Sequence, residues 1–205
     1  MLGDKTIKVF LEETASKSPV PGGGSIAALS AGMATALTEM VANLTIGKKG
    51  YEDVQRDMEG LISILPSIRT GFIEDIDKDA EAFNGVMDAF KMPKDTDEEK
   101  AERKSTIQEG MKNAALIPLE VAKKAFSIME QITIVVEKGN KNAVTDGAVA
   151  AMMARTAVLS ALFNVKINLG SIKDQEFVKR VSDQVHELET NIDSLEKEIL
   201  AKVEL

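Results

Sequence analysis

Apolar residues recur along this chain at steps of three and four, the spacing of one helix face, and no segment alternates strictly as a half-buried strand does. Ile7, Phe10, Leu11 and Thr14 predict a short first helix that stops before Ser18-Pro19. A second helix is expected from about Gly24 to Ile46, and a third region from Asp53 to Lys91, with Pro66 as a kink. Thr96 and Glu99 fit a capping box that starts a long fourth helix reaching toward Lys138, interrupted by Pro118. The β-branched run Ile132 to Val136 also fits a strand, but no second segment offers it a partner, so helix is the reading. A fifth helix follows from about Asp146 to Ile167. The last, Asp174 to about Val203, carries Val178, Val181, Val185, Leu188, Ile192, Leu195 and Ile199 as a heptad seam. A two-chain coiled coil would produce such a seam, and so would one face of a bundle; the other helices also need partners, which favours the bundle.

The second and fifth helices differ in texture from the rest. Gly24, Ala28, Gly32 and Ala36 stand at four-residue spacing, and Gly147, Ala150, Ala151, Ala154, Ala157 and Ala161 repeat the small-residue character. A face without bulk lets another helix come close. Membrane helices share that feature. Glu39, Asn43 and the hydroxyls of Ser30, Thr35, Thr38 and Thr45 argue against insertion of the second helix. Aromatic residues make up only 4% of the chain, while Ala, Leu, Ile, Met, Glu and Lys dominate, so the local preferences agree with the periodicity. The expectation is an all-α, single-domain bundle over residues 1–205, made of long, partly kinked antiparallel helices with small-residue close packing.

Composition narrows the chemistry. There is no cysteine, which excludes disulfides, thiolate nucleophiles and thiolate metal sites, and His186 is the single histidine, which leaves no His-based triad. Carboxylates, Lys, Tyr, hydroxyls, amides and backbone remain. A formal charge of −8 argues against a nucleic-acid partner. The first residues show no charged-then-apolar leader pattern, so a cytoplasmic location is expected.

Two loop-to-helix junctions concentrate candidate residues. Pro19-Val20-Pro21 leads into Gly22, Gly23, Gly24 and Ser25, where glycines permit close approach and a helix start offers unpaired N–H groups. A flexible helix entry would look the same. The second junction, Gly139 to Gly147, gathers Asn140, Asn142, Thr145 and Asp146 in seven residues. These residue types also cap helices and shape turns.

Taken together, Pro19–Leu29, Met40–Lys49, Gly139–Asp146 and Asn164–Leu169, with Asp79–Phe83 and Pro93-Lys94 between them in order, closely resemble the formiminotetrahydrofolate cyclodeaminase and methenyltetrahydrofolate cyclohydrolase family. Thr145-Asp146 stands where the family often has Ser-Asp. The resemblance implies an α-helical, normally homodimeric enzyme that handles a one-carbon unit between N5 and N10 of tetrahydrofolate, with no metal and no cofactor beyond its folate substrate. It converts 5-formiminotetrahydrofolate to 5,10-methenyltetrahydrofolate and ammonia, or hydrolyses the methenyl form to 10-formyltetrahydrofolate. A catalytically silent folate-binding or helical interaction protein is the alternative of another class. For such chemistry Asp146 is the acid/base candidate, with Thr145, Asn140 and Asn142 orienting it or meeting the pterin edge. Gly22, Gly23, Gly24 and Ser25 would present donors to the folate. Lys48 and Lys49, then Lys138 and Lys141, are the cations offered to its glutamate carboxylates.

Overall fold

The computed structural model describes residues 1–204, and among them every regular element is helical. Six α-helices follow in order: α1 (Ile7–Thr14), α2 (Gly23–Asn43), α3 (Gln55–Lys91), α4 (Asp97–Lys138), α5 (Val144–Leu169) and α6 (Gln175–Leu200). Short 3-10 turns at Leu2–Asp4, Glu52–Val54 and Lys141–Ala143 complete the path. The capping box forms as expected: Thr96 Oγ1 accepts from the Glu99 N–H, and the Glu99 carboxylate accepts from the Thr96 N–H. Both α3 and α4 run through their prolines, Pro66 and Pro118, without a break in helical assignment. The Ile132–Val136 run lies inside α4, with Ile132 and Val135 buried.

The small-residue helices occupy the centre. Ala27, Ala28, Ala31 and Ala34 of α2 and Ala150, Ala151, Ala154, Ala157 and Ala161 of α5 are fully buried. An ideal Cβ on Gly32 would sit 3.7 Å from Phe72 of α3, and one on Gly147 would sit 2.7 Å from Val136 of α4. The predicted α2 stripe is therefore used over three of its four members; Ala36, the last, is exposed. The α6 seam closes the bundle from within the chain, with Val181, Val185, Ile192 and Ile199 buried in the same core as α4 and α5. By length and composition α2 and α5 are apolar enough to cross a membrane, but about half of each such stretch is buried inside the fold.

Each end of α2 is tied to another helix by polar groups. At its start no side chain of the N-cap residue Gly22 caps the helix. Asp79 of α3 takes that place: Ser25 Oγ lies 3.1 Å from its Oδ2 and 3.1 Å from the Ile76 carbonyl oxygen. An ideal Cβ on Gly24 would fall 1.9 Å from Asp79 Oδ1, so the carboxylate fills space that any other residue would occupy. At the far end, Thr45 Oγ1 donates to the Val41 carbonyl and accepts from the buried Asn140 N–H at 2.8 Å. Asn140 Nδ2 donates to the Leu44 carbonyl, and Lys141 N–H donates to the Tyr51 hydroxyl. The α4–α5 junction is thereby fastened to the C-terminal end of α2.

Two stability predictions follow from these ties. Thr45→Val leaves the Asn140 N–H unpaired in a buried site and is expected to cost about 1–3 kcal/mol by urea unfolding. An unchanged midpoint would remove the latch. Gly24→Ala forces Asp79 out of its place and is expected to cost roughly 1–3 kcal/mol, most of which disappears in the Asp79→Ala background. Additive costs in the double variant would show that the two residues do not compete for that space.

Candidate functional site

Next to the α2 start lies a cavity of about 330 Å³. Pro19, Val20 and the backbone of Gly22, Gly23 and Gly24 form one wall; Asp79, Phe83 and Val86 of α3 form another. Met111 and Ala114 of α4, Asn164, Ile167 and Asn168 of α5, and Ser171 complete it. The hollow combines apolar side chains with a few convergent polar groups, the usual make-up of a small-molecule site. Larger grooves on this molecule are more open and lined by mixed surface side chains, such as the α3–α4 groove with Lys78, Glu81 and Glu109.

Among the described residues, Asp79 supplies the only charged side chain in the cavity wall. Burial pushes its carboxyl above the ordinary range, because desolvation penalises the anion. The Ser25 hydroxyl and backbone N–H oppose this by hydrogen bonding to the charged form, and burial outweighs them. The result is a carboxyl of raised proton affinity placed where α2 begins. Ser25 itself is fully buried, so its hydroxyl serves Asp79 and the Ile76 carbonyl rather than the cavity.

The sequence-derived candidates divide between two places. Gly22, Gly23 and Gly24 line the cavity, with Ser25 behind them. Asn140, Lys141, Asn142, Thr145 and Asp146 are gathered at the opposite end of α2, beside Thr45 and Tyr51. Eighteen residues of helix, or about 27 Å, separate Ser25 from Asn43. Within one chain the structure does not bring Asp146 and the glycine run together. Asn140 is buried and occupied on both amide atoms, accepting from the Asn142 N–H and donating to Leu44, which is the capping role. Lys138 pairs with Asp57 at 2.7 Å and Lys141 with Glu204 at 3.5 Å. Lys48 and Lys49 sit in the turn that follows α2, the latter exposed, as are Asn142 and Thr145; Asp146 is half-buried. His186 is exposed on α6.

Three residues that sequence reasoning did not single out now stand in the wall: Asp79, Asn164 and Asn168. Their signal was present as helical spacing. Asn164 and Asn168 fall at i and i+4 and place two polar groups on one helix face, whereas Asp79 shares its face with the apolar Phe83 and Val86 at i+4 and i+7. Among the described residues no group of three or more His, Cys, Asp or Glu side chains is arranged to hold a metal ion.

Comparison with known proteins agrees with this architecture. A methenyltetrahydrofolate cyclohydrolase from Methylorubrum extorquens is 42% identical over 192 residues, covering 92% of this chain and 89% of that protein. A formimidoyltransferase-cyclodeaminase from Sus scrofa is 35% identical over 184 residues, and there the chain spans only 34% of the relative's length. Among solved structures, a formiminotetrahydrofolate cyclodeaminase from Thermotoga maritima superposes with a TM-score of 0.88 at 32% identity, over 99% of this chain and 98% of the other. The formiminotransferase-cyclodeaminase family model matches residues 6–187, and the chain belongs to that family.

Proposed function

We propose that this chain is a folate one-carbon enzyme in which Asp79 moves the proton at the carbon between N5 and N10 of tetrahydrofolate. The observation that carries the reading is a carboxyl with raised proton affinity, held by Ser25 at a glycine-opened helix start and lining a cavity. Hydrolysis of 5,10-methenyltetrahydrofolate is the reaction favoured by the 42% identity to a cyclohydrolase of similar length. Water adds to the methenyl carbon and Asp79 takes one of its protons; that proton passes to N5 as the C–N5 bond breaks, and the remaining hydroxyl proton is released to solvent as the C=O forms, leaving 10-formyltetrahydrofolate. The cyclodeaminase of matching length and fold favours a second reading. There N10 attacks the carbon of the protonated formimino group, Asp79 takes the N10 proton and returns it to the formimino nitrogen, and the bond to that nitrogen breaks to release ammonia and leave the 5,10-methenyl cation. Both reactions ask one group to move a proton between two heteroatoms on a tetrahedral carbon, a task that raised proton affinity in a carboxyl favours. Neither step needs a cofactor beyond the folate.

A second copy of the chain is part of this proposal. The outward faces of α2 and α5 expose Met33, Met40 and Leu44, and Val149, Met152, Phe163 and Ile167. Apolar stripes of that extent on two packed helices mark an interface. Ile167 belongs both to this face and to the cavity wall, so a chain seated there would also close the cavity. A two-fold axis across the helices lays the Asp146 end of one copy over the glycine end of the other, uniting the two junctions that one chain keeps apart.

Asp79→Asn is expected to retain folding and lose about 100-fold or more in turnover of 5,10-methenyltetrahydrofolate, read by loss of methenyl absorbance. Ammonia release from 5-formiminotetrahydrofolate tests the second reaction with the same variant. Wild-type activity in the variant would remove Asp79 as the proton carrier. The stability of the two proteins separates with pH. A carboxyl whose folded pKa is raised stabilises fully below its unfolded pKa and loses that contribution as pH rises through the folded value. The variant is therefore expected to gain in Tm on the wild type as pH rises through that window, and a constant Tm difference would contradict the burial cost.

Mixing tests the shared site. Light scattering is expected to give a dimer, and co-refolded Asp79→Asn and Asp146→Asn chains are expected to regain up to about a quarter of wild-type activity, because each hybrid holds one intact composite site. A monomer, or no regain, would place the whole reaction within one chain.

A further inference from the structure

Resting on the folate reading above, we propose that Asn164 and Asn168 determine which end of the substrate enters the cavity, by accepting hydrogen bonds from the 2-amino and N3–H donors of the pterin ring. Their amide groups are oriented by the protein before any ligand arrives. Asn164 Nδ2 donates to the Ser160 carbonyl at 2.9 Å. Asn168 Nδ2 donates to the Ala114 carbonyl of α4 at 2.8 Å and to the Asn164 carbonyl at 2.9 Å. Turning either amide over would set two oxygen acceptors against each other, so the backbone carbonyls fix Nδ2 inward. Each Oδ1 accepts no hydrogen bond among the described residues, and both residues line the cavity. The pair stands one helical turn apart, at about 5–6 Å between Cβ atoms.

The rest of the wall agrees with a donor-bearing ligand edge. No Lys or Arg lines the cavity, and its one charged group is the Asp79 carboxyl. A wall with acceptors and no cation offers a carboxylate no partner and suits N–H donors, so the glutamate tail of a folate stays outside while the aminopyrimidine end goes in. Gly23 keeps the amide within reach: an ideal Cβ there would sit 3.1 Å from Asn164 Nδ2 and 3.4 Å from its Oδ1. A side chain at that position would crowd the Asn164 amide, its nitrogen most closely. The glycine run thus has two separate steric tasks, Gly24 for Asp79 and Gly23 for Asn164.

The experiment compares 5,10-methenyltetrahydrofolate with its analogue carrying a 2-methyl in place of the 2-amino group. Wild-type protein is expected to show a KM at least about tenfold higher for the analogue, with kcat changed far less, because a site built around a donor rejects a ligand that lacks it. Asn164→Leu and Asn168→Leu are each expected to raise KM for the natural substrate and to bring the two KM values together, with folding checked by circular dichroism. Equal KM values in the wild type, or full discrimination retained in both folded variants, would overturn the assignment. The wild-type comparison alone decides the question if a variant fails to fold. Turnover without discrimination defeats this inference and leaves the proposed reaction standing; no turnover and no binding of either compound defeats both.

Discussion

The contact between the first turn of α2 and the Asp79 carboxyl is the constraint on which the site depends. A carboxylate can approach a helix axis that closely only where the helix has no side chain, and Gly24 provides that gap. The approach satisfies Ser25 and fastens α2 to α3. It also removes the carboxyl from water, which raises its proton affinity. One steric fact thereby links packing, helix capping and acid/base chemistry. The same close packing recurs along α2 and α5, whose alanines let the two helices and α4 share one core.

The helices were legible because each rests on local signals. The capping box at Thr96 and Glu99, the seam of α6 and the breaks around Pro19 and Pro93 are all read within a few residues of where they act. Helix ends shifted by a few residues: α2 stops at Asn43 rather than Ile46, and Asp174 caps α6 rather than joining it. The site was only half legible. A glycine run announces that something comes close without saying what, and Asp79 lies 55 residues away from Gly24 on a helix whose face cannot be chosen from spacing alone. The Asn140–Asp146 cluster was visible as polar residues at a junction. Because α2 separates that junction from the glycine run, sequence order could not tell whether they meet within a chain, across two chains, or not at all. Asn140 illustrates the ordinary outcome, a polar side chain consumed by the fold.

The exposed stripes of α2 and α5 bear on the same question. Each of these helices buries one face in the core and leaves apolar side chains on the other exposed. The second copy proposed above would extend the core that the small residues begin and would lie against the cavity at Ile167. Closing the cavity would raise the strength of each polar interaction inside it. Association and catalysis then draw on one surface.

The most direct test of the account is a structure of the protein with a stable formyltetrahydrofolate bound. The pterin is expected inside the cavity between Gly23, Asn164 and Asn168, with the one-carbon unit within hydrogen-bond reach of Asp79. A folate held at Asp146 with the α2 start empty, or one whose reacting carbon lies away from Asp79, would contradict it.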